Sequence, residues 1–456
     1  MFKQYNQNQL QLLPPNLSDL IVKDHLARLI NHAVDGLDLS LIEQTYSPDG
    51  QHAYPPRMLL KILVYGYASG VRSSRKLADR LKEDIVFMWL SGRLTPDFRT
   101  IADFRKDKLT DFKKIFEEVL ETSFQIGLTR VGKVMIDGTK IRANASKNKD
   151  VYRTNLDRRK ELIKQKVEEI IAEAEKLDEE ENRLYGNATL HRTGKTFTKE
   201  EVVKALKKVK QERAKLVKKQ EVLKAKKQDI SKKERLMRGD RNSFTSSDPD
   251  ATVMLMKEGY IAPGYNVQLA TEHQVILGYG LSSDRNDTKL LKPMVKEVKE
   301  RTGRKPEAIG SDSGYGTKKN YRYLKKERIT SYIPYPTYEQ ERILKNKGFF
   351  TPPKQPDREL ERYKFRQRLR LQSEEGKLMM KRRREDVEPV FGNLKRNMGF
   401  RRFNLRGKRK CELELGLFSV AHNLLKIRNW VRKLAKWDDG RRKGIELGIV
   451  LGYRTA

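Results

Sequence analysis

Asp137 closes the apolar run Val134-Met135-Ile136, Asp312 follows Ala308-Ile309-Gly310-Ser311, and Glu388 lies in the stretch Arg384-Glu385-Asp386-Val387-Glu388-Pro389. Carboxylates at strand ends or on an adjoining helix can converge although they are far apart in sequence. Three of them, with no cysteine or histidine cluster nearby, offer the hard oxygen ligands that suit Mg²⁺ or Mn²⁺. Two such ions held roughly 4 Å apart are the usual device for in-line attack on a phosphodiester. The chain's net charge of +36 points to a polyanion as the owner of that phosphodiester, since each neutralised phosphate releases condensed counterions.

Other chemistries find less support. Cys411 is the only cysteine, so no disulfide framework or thiolate metal site can form. The six histidines (His25, His32, His52, His191, His273 and His422) show no ligand spacing. A P-loop is lacking, so no nucleotide cofactor is expected. Met1 to Leu13 is rich in Gln and Asn and has no cationic start or apolar core of a secretory signal. No apolar run approaches the ~20 residues that span a bilayer, so the expectation is a cytoplasmic, nucleoid-associated protein without a membrane partner.

The elements that must position the three carboxylates can be read from periodicity. Residues 1–130 read as helices. Pro55-Pro56 opens a stripe of Met58, Leu59, Ile62 and Leu63, and Gly70 ends it. Ser73-Ser74 can cap a second helix carrying Leu77, Leu81 and Ile85 as far as Trp89. Thr95-Pro96-Asp97 opens a third, with Pro96 in its first turn. Short helices with Arg72, Arg75 and Lys76 exposed would suit a helix-turn-helix reader of DNA, and a plain helical bundle, the simpler reading, has the same signature.

Two charged segments at 155–237 each carry one narrow heptad seam. Ile163, Val167, Ile170, Ala174 and Leu177 form the first, and Val202, Leu206, Val209, Leu216, Leu223 and Ile230 the second. Gly186-Asn187 and Thr193-Gly194 are expected to break the helix between them, giving an antiparallel hairpin. Beyond it Tyr265, Val267 and Leu269 alternate with polar residues, as do Val275, Leu277, Tyr279 and Leu281, which predicts two antiparallel strands. A helix over 288–301, a strand reaching Asp312, a helix over 318–328 and a strand at 331–333 follow. With Val134–Asp137 as first strand, the pattern is a mixed α/β sheet of about five strands. Residues 336–376 read as a basic loop with helical pieces, and 436–456 as a tail. Across 361–410 there are 18 Lys plus Arg against 6 Asp plus Glu, a third of the chain's net charge, interleaved with Phe365, Phe391, Phe400 and Phe403. Cations around a candidate ligand favour a phosphate-backbone groove that includes Arg384, Lys395, Arg396, Arg401 and Arg402.

Glu385 and Asp386 compete with Glu388 for the third place. Val387, Phe391, Leu394 and Met398 form a helical stripe, and Glu388 and Lys395, seven residues apart, lie together at its border. Glu385 would point away from it. Pro389 fits only the first turn of a helix or else kinks it.

Taken in order, these segments resemble bacterial insertion-sequence transposases. Ala53-Tyr54-Pro55-Pro56-Arg57-Met58, Gly70-Val71-Arg72-Ser73-Ser74-Arg75 and Leu94-Thr95-Pro96-Asp97-Phe98-Arg99 look like an InsH-type N-terminal domain. Ile136-Asp137-Gly138-Thr139, Asp248-Pro249-Asp250-Ala251, Gly264-Tyr265-Asn266-Val267-Gln268, Asp312-Ser313-Gly314-Tyr315-Gly316 and Val387-Glu388-Pro389-Val390-Phe391-Gly392 continue the likeness. It runs over roughly residues 50–430. The resemblance implies an all-α DNA-binding domain over 1–130 and an RNase H-like (retroviral-integrase-like) DDE core over 131–435, interrupted by the hairpin. It assigns the metal carboxylates to Asp137, Asp312 and Glu388 with two Mg²⁺ or Mn²⁺ ions. Double-stranded DNA is the partner, both terminal inverted repeats and target, with a dimer or larger oligomer on it. A Y-x₂-R-x₃-E-x₆-K signature in related transposases fits Arg384, Glu388 and Lys395, with lysine at 381 where the signature has tyrosine. Two rivals stay open: an RNase H-fold nuclease without strand transfer, and a non-catalytic, domesticated DNA-binding protein.

Overall fold

The computed structural model describes residues 16–46, 53–109, 112–189, 199–237, 241–347 and 357–437. Thr193-Gly194, the prolines at 352–356 and nearly all of the expected tail lie outside them. The chain divides into two compact units, 1–144 with 254–456, and 145–253.

In the first unit, helices α1 (Leu26–Gly36), α2 (Ser40–Glu43), α3 (Pro56–Ala68), α4 (Ser74–Glu83), α5 (Ile85–Leu90), α6 (Phe98–Asp103) and α7 (Phe112–Gln125) precede strand β1 (Lys133–Arg142). The single helix expected from Ser73 to Trp89 is two. The Asp84 carboxylate caps a new start by accepting from Val86 N and Phe87 N, which leaves Ile85 exposed. Pro96 lies outside its helix, because Asp97 is the N-cap of α6.

The second unit holds the insertion. Strands β2 (Asp150–Tyr152) and β3 (Ser243–Thr245) pair antiparallel at its base, below helices α8 (Arg153–Thr189) and α9 (Lys199–Leu236). Val209, Leu216, Leu223 and Ile230 are buried at seven-residue intervals, while Arg213, Gln220 and Lys227 between them face solvent. Lys160–Glu234, Lys219–Glu173 and Arg213 with Asp178 and Glu181 pair across the two helices in antiparallel order. Gly186-Asn187 does not end α8, which continues to Thr189.

The main sheet is completed by β4 (Thr252–Leu255), β5 (Ile261–Glu272), β6 (Val275–Ser282), β7 (Ala308–Ser311) and β8 (Thr330–Tyr332). Its order is β4-β5-β1-β7-β8, with β6 also on β5, six strands where about five were expected. β1 and β6 are antiparallel to β5, whereas β7 is parallel to β1 and β8 to β7. Helices α10 (Leu291–Thr302), α11 (Lys318–Lys326), α12 (Tyr338–Asn346), α13 (Arg358–Gln372), α14 (Glu374–Gly392) and α15 (Lys408–Trp437) follow. Where it is described, the expected loop over 336–376 is therefore mostly helix, with Asp357 capping α13 and Ser373 capping α14.

Polar side chains fix this frame. The Glu272 carboxylate, at the end of β5, accepts from Thr129 Oγ1 and from the backbone N–H groups of Arg130, Val131, Gly132 and Lys133, so it sets where β1 begins. Burial alone would raise its pKa, but these donors hold it below the usual value. On β6, Ile276 exchanges two hydrogen bonds with the Asn423 side chain of α15, which covers that strand edge. Tyr67 and Phe418 meet edge-on where α3 packs on α15.

The β5–β6 turn is His273-Gln274, both left-handed at φ 53° and 64°. Asn-Gly would be the ordinary choice there. Asp386 of α14 compensates by accepting from both backbone N–H groups. Removing the carboxylate in Asp386→Ala is expected to cost about 2–3 kcal/mol, read as a lowered chemical-denaturation midpoint at constant slope. A midpoint within ~0.3 kcal/mol of the parent would refute this role for Asp386. Replacing 157–237 with a short Gly/Ser linker is expected to leave a cooperative thermal transition in the remaining chain, because the seams of α8 and α9 bury one helix against the other. A lost transition would make the hairpin integral to the core.

Candidate active site

β1 runs five residues past Asp137, so this aspartate stands in mid-strand rather than at a strand end. Register does the positioning. Ile136 and Ser311 are the last pair of the parallel β1–β7 ladder, and Asp312, the next residue, is still extended as it caps the following turn. Partners in parallel register point to the same face and stand about 5 Å apart across the ladder. Asp137 and Asp312 each follow the last pair of that ladder, close enough for the charge of Asp312 to act on the Asp137 carboxyl.

The electrostatics record the cost. Burial, then the charge of Asp312, push the Asp137 carboxyl up to about 6. Asp312 is raised as well, by burial and by Asp287. Asp312 accepts from Gly314 N at 2.9 Å, and Asp137 from Gly138 N at 2.8 Å.

Glu388 arrives on α14, which passes over β1, β5 and β7 and is unbroken through Pro389. Proline deprives the Glu385 carbonyl of its helical donor, and the Gln274 side-chain amide supplies one instead at 2.7 Å. Val387, Phe391, Leu394 and Met398 are buried as the stripe requires, and Glu388 stands at its border with its side chain 49% exposed. Of its competitors, Asp386 is spent on the β5–β6 turn, and Glu385 faces solvent near Lys381.

Between the carboxylates lies a residue the sequence did not single out. Arg383 Nη1 is 3.3 Å from Asp137 Oδ2, and Nη2 is 3.3 Å from Glu388 Oε1. Its neighbour Arg384, the arginine of the family signature, is exposed. A fourth carboxylate is also close: Asp287 Oδ1 accepts from Asn266 Nδ2 and Gln268 Nε2, and Gln268 in turn accepts from Tyr315 Oη. A Cβ at Gly138 would fall 2.9 Å from that Asp287 oxygen and 2.2 Å from Gln268 Nε2, so any larger residue would have to displace this hydrogen-bonded group. Asn286-Asp287-Thr288 just before a helix was the available signal for Asp287. Arg383 had none, because neighbouring arginines at 382–384 differ only in helical phase.

Asp137 and Glu388 open into a groove of about 900 Å³ that follows the rest of β1. Lys395, Arg396, Arg401 and Arg402 line it, with Arg142, Lys257 and Tyr260. Lys395 donates to Thr139 Oγ1 at 2.7 Å, two residues beyond Asp137 on the same face of the strand. Arg72 does not join these cations. Its guanidinium donates to the Arg402 and Gly399 carbonyls, faces the buried Glu414 and lies over Phe418. Arg75 and Lys76 are exposed on α4.

The donors fit a divalent ion in kind, all being carboxylate oxygens in a setting that calls for positive charge. As they lie, though, no three acidic, histidine or cysteine side chains among the described residues stand near enough together to hold one.

Residues 15–107 match the family described as Transposase domain (DUF772), and residues 250–424 match the Transposase DDE domain, together more than half of the chain. The chain is a DDE transposase. Its β1-β5-β6 antiparallel strands with β7 and β8 parallel form the RNase H-like core. The enzyme acts on DNA, and its family works with divalent metal ions. Asp312 and Glu388 fall within the DDE match, while Asp137 lies between the two matched stretches. No curated protein and no solved structure matches the chain. Among the described residues no helix is long and apolar enough to cross a membrane.

The raised Asp137 carboxyl sets a pH dependence. A folded pKa of about 6 against an unfolded value near 3.9 means that Asp137 favours the fold at low pH, and that this contribution is lost as pH rises through about 6. In chelator, Asp137→Asn is therefore expected to gain about 1–3 kcal/mol on the parent between pH 4.5 and 7.5. A difference in thermal transition that stays flat across that range would contradict the assignment.

Proposed function

We propose that this transposase cuts the strands at its transposon ends and joins them to target DNA, with Asp137, Asp312 and Glu388 as its metal ligands. The observation that carries the reading is that Asp137 and Asp312 each follow the last pair of the β1–β7 ladder and interact there, with α14 packed over both strands. Two Mg²⁺ or Mn²⁺ ions, when bound, supply an activated attacking oxygen and stabilise the departing one. The chain's own part is to hold the oxygen ligands in place and to seat the DNA backbone. Lys395, Arg396, Arg401 and Arg402 along the groove supply sequence-independent affinity for that backbone. Arg75 and Lys76 on α4, with the N-terminal helices, contribute to recognising the terminal repeats. A dimer or larger assembly on DNA suits a reaction that must bring two ends together.

The competing reading as a nuclease without strand transfer differs in product, so joined molecules decide between them. Asp137→Asn, Asp312→Asn and Glu388→Gln are each expected to lower Mg²⁺-dependent cleavage and joining by at least ~10³-fold, with DNA affinity and its salt dependence within about twofold of the parent. Glu385→Gln should keep full activity, since that side chain faces solvent. Normal turnover by Asp137→Asn or Asp312→Asn would sink the metal assignment. Loss in Glu385→Gln with retention in Glu388→Gln would move the third ligand.

A further inference from the structure

Arg383 is held in an arrangement that satisfies none of its donors well. Its two contacts, 3.3 Å to Asp137 and 3.3 Å to Glu388, are long for a charge-assisted hydrogen bond, which closes to about 2.8 Å. Its Nε is buried and has no hydrogen-bond partner. An unmet buried donor costs about 1–3 kcal/mol. The pairing with Glu388 is not a routine helix-surface contact either, because residues five apart lie roughly 140° around the helix from one another. The guanidinium is stretched between one carboxylate on a strand and another on its own helix.

A guanidinium and a divalent ion draw on the same carboxylate lone pairs, and they cannot both hold them. We propose that Arg383 is a displaceable counter-ion. It keeps Asp137 and Glu388 facing one another, gives up both to the metal ions, and then turns its planar fork onto a phosphate oxygen of the strand to be cut. The pairing offsets the negative charge of Asp137, on which Asp312 also acts, and ties Glu388 to it. The unmet Nε and the long contacts make it yield to a stronger ligand. A phosphate offers the released fork two parallel hydrogen bonds, which the carboxylates here do not. This rests on the metal-site reading above.

Mn²⁺ titration calorimetry on the full-length chain, without DNA, tests it directly. Arg383→Gln removes the competitor and is expected to bind Mn²⁺ about five- to tenfold more tightly than the parent, while its cleavage of terminal-repeat DNA at saturating Mn²⁺ falls at least ~10-fold. Arg383→Lys keeps the charge without the fork, so its Mn²⁺ affinity should stay within about twofold of the parent while cleavage still falls. A role confined to folding would not tighten metal binding. Unchanged or weaker Mn²⁺ binding by Arg383→Gln overturns the proposal. So does a Lys variant that binds Mn²⁺ as tightly as the Gln variant is expected to, which also decides the matter if Arg383→Gln fails to melt cooperatively. Asp137→Asn separates the two readings. If it abolishes Mn²⁺ binding while Arg383→Gln leaves it unchanged, only the counter-ion fails. If it binds Mn²⁺ as the parent does, the metal site and the counter-ion fail together.

Discussion

Asp137 and Asp312, each just past the last pair of two adjacent parallel strands and largely out of water, repel one another with little freedom to move apart. That constraint comes from the backbone ladder between β1 and β7, which side chains cannot renegotiate. The surrounding architecture supplies what the pair lacks. α14 carries a guanidinium to it from above, β1 continues into a groove lined by cations, and the chain as a whole is strongly basic. A site of this kind is poorly satisfied by protein alone, and it gains most from binding positive charge and then the polyanion that such charge attracts.

Keeping α14 in place falls to a compact polar network at the opposite end of the same strands. Asp386 fixes the β5–β6 turn, and Gln274 from that turn satisfies the carbonyl that Pro389 leaves without a donor. Lys426 of α15 donates to the Gln274 side chain, and His422 of the same helix meets the Gln274 carbonyl. Burial pushes His422 down to about 4, so it stays neutral there. The turn is therefore tied both to the helix that bears Glu388 and to the helix on which the N-terminal helices pack.

Periodicity made the sheet legible. Val267, Leu269, Val275 and Leu277 fall in two paired antiparallel strands as expected, although both faces of β5 are buried, β1 runs past its expected end and β4 was not foreseen. The heptad seams of α8 and α9 were equally plain, because a narrow apolar stripe on a charged helix leaves water only by meeting a second stripe of the same width. Boundaries were lost where a polar group overrode the pattern, as Asp84 did in splitting one expected helix into two. The continuity of α14 was illegible for a related reason: the donor that rescues Pro389 comes from Gln274, more than a hundred residues earlier. Around the candidate site, Asp137, Asp312 and Glu388 were named from local context and family likeness, and they remain the proposed ligands. Arg72 reads as exposed in the turn before α4, but its acceptors, the carbonyls of Gly399 and Arg402, are contributed by a distant loop. Arg383 and Asp287 needed the tertiary arrangement itself, since helical phase and the end of a loop leave little trace in sequence.

The insertion also bears on how the chain assembles. The longest ladder of the sheet joins β1 to β5, and Met135 must find Thr271 although the whole of 145–253 lies between them. Closing so long a span before any other contact forms would be slow. The α8–α9 hairpin is built from local contacts, and pairing of Asp150 with Thr245 draws its two ends together. If this unit forms first, the span that β1 and β5 must bridge shrinks to the short segments between Arg142 and Asp150 and between Thr245 and Gly264. The insertion would then act during folding as a splint, turning the most remote pairing in the sheet into a much less remote one.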